Sequence, residues 1–300
     1  MNELLQHIIN GVSLGSIYAL IALGYTMVYG ILKMINFAHS EVYMVGAFAA
    51  YYAASAFGIQ SSPGFMSLVI LLIIAMVVCA TLGLVIERFA YRPLRGAPKL
   101  NILITAIGVS LFLQYGGQLV FGPDPKVFPQ VMEDSVLLQT GDTQLRTFDV
   151  TILFVSLFFM AALHFIIHHT KMGRAMRAVS TYPNVAAMMG VNVDKVISFT
   201  FMVGSSLAGV GSVLVGMKYP KIDPLMGTLI GLKAFVAAVL GGIGNVPGAV
   251  LGGIIMGLSE EMVVTFISST YRDAFAFGIL ILILLFKPTG LMGKNQMEKV

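Results

Sequence analysis

The chain reads as an all-α membrane protein: a polytopic bundle of eight or nine transmembrane helices, some of them broken, arranged as an inverted repeat. Three observations carry this reading. Of its 300 residues, 57% are hydrophobic and only 11% charged, with a mean hydropathy of +0.89, more apolar surface than a soluble domain of that length needs for its core. The apolar residues come in blocks long enough to cross a ~30 Å hydrocarbon core at ~1.5 Å rise per residue. Two polar interruptions, INFAHSE and KYPKIDP, each precede a short glycine-rich apolar segment in corresponding parts of the chain.

The elements follow in order. Residues 8–32 form the first block, and MNELLQHIING before it lacks a basic n-region, so a retained helix is expected and not a cleaved signal. Residues 66–86, 100–121, 150–167 and 196–217 are further blocks without Asp, Glu, Lys or Arg. Residues 42–57, 225–240, 246–267 and 274–286 are weaker, being short or interrupted by Gly, Pro or a charge. Apolar residues on all faces argue for helices, because a barrel strand alternates in polarity. Cys79 is the single cysteine, which excludes a disulfide or a cysteine-based metal site within the chain.

The net charge of +4 matters through its placement. Arg88, Arg92, Arg95 and Lys99 crowd one loop, and Lys171, Arg174, Arg177 and Lys195 the next long basic one, so both are expected to be cytoplasmic. Between them, residues 122–149 carry Asp124, Glu133, Asp134, Asp142 and Asp149 against Lys126 and Arg146, as an exterior loop would. Counting crossings puts the N-terminus outside, residues 33–41 near the inner face, residues 218–227 near the outer face, and the tail with Lys287, Lys294 and Lys299 inside.

An offset of 187 pairs Gly24 with Gly211, Ile35 with Ile222, Ala47 with Ala234, Phe48 with Phe235 and Ala50 with Ala237. The crossing count sets the two copies at opposite faces, the arrangement of inverted-repeat transporters. We read one permease domain over residues 1–300, with repeat halves 8–121 and 196–287 and a cytoplasmic segment 171–195. Irregular backbone at membrane depth is tolerated only against protein or a water-filled cavity. Asn36, His39, Ser40, Glu41, Asp223 and Lys233 are therefore the candidates for a translocation path or its helix breaks. For His39 and Glu41 two roles stand: bonding the backbone groups freed by the break, or lining an inner gate. The first is expected, because irregular backbone in the membrane needs its freed groups bonded. Lys233, Glu260 and Glu261 interrupt apolar segments and should face protein or water, or reach the outer interface through helix tilt.

Other motifs weigh less. Gly11-Val12-Ser13-Leu14-Gly15 matches a nucleophile elbow, but that motif needs a strand-to-helix turn and here lies inside a helical run. Gly11 with Gly15, Gly248 with Gly252, and Gly253 with Gly257 form small-residue pairs that let helices approach closely, within the chain or against a partner. His164, His168 and His169 sit at a helix end beside Lys171 and read as interfacial, not as a metal site. No phosphate-cradling G-x-x-x-x-G-K-[ST] occurs, so the chain is not expected to be an ATPase of that kind itself. In the segment 171–195, Ala178, Val185, Ala186, Met189 and Val191 supply apolar surface; Tyr182, Pro183 and Asn184 mark a turn, with Asn184 expected as N-cap of a helix that lies on lipid or docks into a soluble partner.

The sequence closely resembles the LivH-type permease subunits of branched-chain amino acid ABC importers over essentially its whole length. The matching stretches are GVSLGSIYALIALGYTMVYGILKMINFAHSEVYMVGAF, IERFAYRPLR, MGRAMRAVS with MMGVNVDKVI, KAFVAAVLGGIGNVPGAVLGG and the terminal PTGLMGKNQMEKV. Urea and short-amide permeases are similar around INFAHSE; the INFA wording, the length and the EKV terminus point to the amino acid branch. The resemblance implies a bacterial inner-membrane complex with a second, LivM-like permease, two ATPase subunits and a periplasmic amino-acid-binding protein, moving Leu, Ile or Val, with no nucleic-acid partner and no cofactor on this chain. It also implies ATPase docking through a loop of pattern EAA, three residues, Gly. Here Asn184, Val185, Ala186 and Gly190 stand at that spacing beside Tyr182, with the acid absent. Ser40 stands where the family more usually has Gly. A secondary transporter or channel working alone, and more remotely an intramembrane hydrolase, are the readings of other classes.

Overall fold

The computed structural model of the protein describes residues 2–59, 63–140 and 143–293. Asp142, Lys294 and Lys299, used above to orient the chain, lie outside the described residues. Among those described there are eleven α-helices: α1 Asn2–Leu32, α2 His39–Ala56, α3 Phe65–Ile86, α4 Lys99–Phe121, α5 Thr147–His169, α6 Lys171–Thr181, α7 Pro183–Met188, α8 Val193–Lys218, α9 Met226–Gly241, α10 Val246–Phe266 and α11 Arg272–Phe286. Seven of them (α1, α3, α4, α5, α8, α10 and α11) are long and apolar enough to cross a membrane. α11 reaches that length together with the turn Ser269–Tyr271 before it; the 16-residue α9 does not, and α2 carries His39 and Glu41 in its first turn. With these two, the helices match the nine apolar segments of the sequence.

Local chemistry starts several helices where they start. Thr170 accepts from Gly173 N at 3.0 Å before α6, Asn192 from Lys195 N at 3.0 Å before α8, and Asn245 from Gly248 N at 3.1 Å before α10, each quenching a free first-turn donor. Asp223 accepts from Leu225 N at 2.9 Å in the turn that leads into α9. Asn184 does not: Tyr182 holds the N-cap position of α7 and Pro183 the first helical one. Proline's fixed φ suits that position, so Asn184 falls inside the first turn and the expected N-cap is corrected.

The two ends of the bundle, named inner and outer after the expected orientation, are held by different contacts. At one end, Arg92 and Arg95 beyond α3 pair with Glu87 and Asp194, and Leu291 N and Met292 N donate to the last carbonyls of α9. At the other end, β1 (Lys126–Val127, after α4) pairs antiparallel with β4 (Lys221–Ile222, after α8), and Lys218 binds Asp149 at 2.9 Å. The hairpin β2–β3 (Val136–Thr140 and Thr143–Arg146) lies at this outer end, where Gln144 N donates to the Gln6 side chain.

The packing repeats itself. α1 lies on α10 as α8 lies on α3; α8 packs on α2 as α1 packs on α9; α2 meets α3 and α4 as α9 meets α10 and α11. Lys218 at the end of α8 donates to Ser13 near the start of α1, so the corresponding helices run antiparallel and the repeat is inverted. The small-residue pairs all serve contacts within this chain. A Cβ on Gly15 would lie 2.7 Å from Ile254 Cα, one on Gly11 3.0 Å from Leu258 Cα, and one on Gly253 2.6 Å from Ala19 Cα, while Gly257 closes on Gly15 and Gly248 and Gly252 close on α9. Ser13 sits in regular helix and accepts from Lys218 Nζ, which removes the strand-to-helix turn a nucleophile elbow needs.

One placement differs from the crossing count. His39 Nε2 lies 3.3 Å from Ile21 O, and Ile21 stands eleven residues before the end of α1, about 16 Å along its axis at ~1.5 Å per residue. Residues 33–38 therefore turn back into the bundle from the inner face, beginning at Lys33 with φ +55°, and α2 starts near mid-depth. The chain between α8 and α9 does the same from outside.

Candidate functional site

The N-termini of the two short helices meet where these returns end. Gly227 and Gly231 of α9 let it close on the start of α2: a Cβ on Gly227 would reach 2.9 Å from Glu41 Oε2, and one on Gly231 would reach 3.0 Å from Ser40 Cα. His39 is fully buried, edge-on to Tyr25 with ring centroids 4.7 Å apart, and a Cβ on Gly24 would collide with its ring. Asn36 is buried and accepts from Tyr91 OH at 2.9 Å. Ser40 Oγ donates to Phe37 O at 2.8 Å. Asn36, His39 and Ser40 thus bond the chain around the break.

Glu41 is different. It is 1% exposed and lines a recess of about 160 Å³ together with Ser40, Ser110, Gln114 and Thr228 on the polar side and Tyr25, Phe37, Leu111, Leu232 and Phe235 on the apolar side. Its Oε1 accepts from Ser40 Oγ at 3.3 Å and Ser110 Oγ at 3.4 Å. Gln114 Nε2 donates to Thr228 Oγ1 at 3.1 Å across the same opening. From here an aromatic wall climbs along α2 and α4 to the outer end, where Phe48 stacks on Phe121 at 4.4 Å. At its top the Lys126 ammonium stands 4.8 Å from the Tyr52 ring centroid and 5.5 Å from that of Tyr51, and donates to Tyr52 OH at 2.7 Å.

Asp223 braces the turn before α9 through Leu225 N and stays outside the recess. Lys233, on α9, points away from it into an ion cluster: Glu260 Oε1 at 3.1 Å and Asp273 Oδ1 at 2.6 Å. Glu260, 0% exposed, also binds Arg272 at 3.3 Å and Tyr18 OH at 3.0 Å, while Glu261 meets His7 and Asn10 at 3.3 Å each. The two glutamates face protein; Glu260 is not carried to solvent by tilt. α7 and its two flanking residues expose Tyr182, Val185, Met188 and Met189, and α7 buries Ala186. Gly190, at φ +83°, ends this helix, with Gly190 N donating to Ala187 O and Val191 N to Ala186 O, the double bond of a glycine-terminated helix. His164 and His168 stack at 4.2 Å on the exposed end of α5.

The residues the sequence reading did not single out are Ser110, Gln114 and Thr228. Their signal was present: Ser110 and Gln114 are one helical turn apart on an otherwise apolar segment, a polar stripe at i, i+4.

A family model described as "Branched-chain amino acid transport system / permease component" matches residues 7–284. The chain belongs to this family. The permease is 42% identical over 307 residues to the high-affinity branched-chain amino acid transport system permease protein LivH of Salmonella typhimurium, covering 99% of this chain and 97% of that one. It is 42% identical over 302 residues to BraD of Pseudomonas aeruginosa, of the same description, covering 99% and 98%. With a probable branched-chain amino acid transport permease protein LivH of Methanocaldococcus jannaschii it shares 31% identity over 295 residues, covering 93% and 89%. Matches of this extent span the permease from α1 into α11, so the recess, the ion cluster and α7 all lie within the shared region.

Proposed function

We propose that this chain is the membrane-spanning subunit of an ATP-driven importer that carries leucine, isoleucine and valine inward across a bacterial inner membrane, along the recess where α2, α4 and α9 meet. Near-complete matches to branched-chain amino acid permeases support the substrate class. The recess supports the route, because it is the place at mid-depth where polar and apolar walls face one opening. α4 and α11 leave most of their surface uncovered in this chain, which suits a second, LivM-like permease on one side and lipid on the other. The exposed apolar face of α7, Tyr182, Val185, Met188 and Met189, suits a groove on an ATPase subunit. ATP and Mg are then held by two such partner chains, and a periplasmic amino-acid-binding protein delivers substrate to the outer end.

The test is reconstitution. Proteoliposomes holding this chain, its permease partner, the ATPases and the delivery protein should accumulate labelled leucine only with ATP and only when the ATPase phosphate loops are intact. Leucine flux through this chain alone, without any ATPase, would favour a stand-alone transporter and end the reading.

A further inference from the structure

Buried carboxylates in this protein have cations. Glu87 lies against Arg92 and Arg95, Asp149 against Lys218, and Glu260 against Lys233 and Arg272. Glu41 breaks the pattern. Among the described residues no Lys, Arg or His forms an ion pair with it, its Oε1 has only the hydroxyls of Ser40 and Ser110, and its Oε2 has no hydrogen-bond partner. A carboxylate held this way at membrane depth is costly, and such groups persist where something transient completes them. What remains open beside it is a space of about 160 Å³, against the ~10–15 Å³ that admits a single water.

The walls of that space say what it would take. The carboxylate supplies two strong acceptors; Tyr25, Phe37, Leu111, Leu232 and Phe235 supply an apolar wall. Thr228, held by Gln114 of α4, sits in the first turn of α9, whose N-terminal end favours negative charge. We propose that the recess is a binding stop for the amino acid on its way through the membrane, with Glu41 taking the α-ammonium, the first turn of α9 the carboxylate, and the apolar wall the branched side chain. This rests on the transport reading above. His39 keeps the structural part, bonded to Ile21 O, while Glu41 is the residue that touches substrate. A charge-assisted bond between ammonium and carboxylate is about twice as strong as a neutral one, enough to order the zwitterion, while leaving no covalent or metal chemistry to undo on release.

The experiment uses the complete complex in nanodiscs without the delivery protein, and labelled L-leucine as probe. Leucine should bind saturably. 3-Methylbutylamine, which keeps the ammonium and the branched tail, should displace it, and 4-methylpentanoate, which keeps the carboxylate and the tail, should do so far less well. Glu41→Gln keeps an acceptor for Ser40 and Ser110 and should assemble, but bind leucine roughly tenfold or more weakly; Glu41→Asp should recover part of the loss. Equal displacement by the amine and the acid, an unchanged affinity in Glu41→Gln, or no saturable binding while ATP-driven leucine uptake persists, would each overturn the proposal. If Glu41→Gln fails to assemble, the wild-type competition decides. Failure of the transport reading shows separately, as a wild-type complex with no ATP-driven leucine uptake at all.

Discussion

The ion cluster on α9, α10 and α11 makes a quantitative forecast. Lys233 is bound by Glu260 at 3.1 Å and Asp273 at 2.6 Å, and Glu260 by Arg272 at 3.3 Å as well. Removing one partner of a fully buried pair costs about 3–5 kcal/mol. In Lys233→Met, Glu260 keeps Arg272 and Tyr18, so the lower end applies, about 3 kcal/mol. In Glu260→Met, Lys233 keeps Asp273, which is half exposed, and a similar loss of about 3 kcal/mol follows. The double variant replaces the pair by apolar side chains, an exchange that is neutral within a few kcal/mol in general; the contacts of Arg272 and Tyr18 to Glu260 and of Asp273 to Lys233 are then lost, but Arg272 retains Glu261 at 3.7 Å and Asp273 is half exposed. The double variant should therefore lose about 1–2 kcal/mol where the singles sum to about 6, a coupling of about 4 kcal/mol that exceeds the usual range for contacting residues because the charges share one dry site. At ~2–4 °C per kcal/mol for a large domain, each single should melt about 6–12 °C below wild type and the double only a few degrees below it. Thermal unfolding of the purified chain at fixed lipid and scan rate reads this directly. A double variant that falls as the sum of the singles would show that Lys233 and Glu260 act independently, and the cluster argument would be wrong.

Three further outcomes follow from the same structure. In a Cys79→Ala background, an impermeant thiol reagent added outside should label Glu133→Cys and spare Arg174→Cys; the opposite pattern would invert the topology. Val185→Asp with Met188→Asp should leave the bundle assembled but uncouple ATP hydrolysis from uptake, since charges placed on an exposed apolar face oppose docking without disturbing the core; normal coupled transport would remove α7 from the ATPase contact. His39→Gln, which can still donate to Ile21 O, should assemble and transport near normally, whereas His39→Leu should lose about 1–3 kcal/mol and assembly with it, from the orphaned bond and the misfit against Gly24. A His39→Gln complex that assembles yet moves no substrate would make this histidine part of the path.

The long blocks were legible in the sequence because a bilayer imposes length and polarity together: residues 66–86 and 100–121 had one reading, and α3 and α4 occupy them. The inverted repeat was legible for a related reason. An offset of 187 pairs His39 with Met226, and these are the first residues of α2 and α9. Depth was not legible. A crossing count assigns each loop to a face, so it puts INFAHSE at the inner surface; nothing in residue type says that six residues after Leu32 run back along α1 until His39 meets Ile21 O. Asn184 misled in a simpler way, because a good capping residue directly after proline is displaced by it.

What the sequence could not separate was the work of two titratable residues set two positions apart. On a helix, residues 39 and 41 are about 200° apart at ~100° per residue, so one helix start directs them to nearly opposite sides. His39 turns to the backbone of α1 and is fixed there by the absence of a side chain on Gly24. Glu41 turns to α4 and α9, where Ser110 binds it and Gly227 leaves it room. The same geometry explains the asymmetry between the halves. In the repeat that ends in α4, α2 and α3 close on each other through Gly46 and Cys79, whose sulfur lies 2.7 Å from a Cβ built on Gly46. In the other, α9 and α10 approach as closely at Gly248 and Gly252, and Lys233 and Glu260 add an ion pair between them. Small residues hold both halves by close approach, and in the second a buried charge pair is added. That leaves the carboxylate on α2 as the charged group at this depth with no cation among the described residues to answer it, and it lines the opening that an ammonium would have to pass.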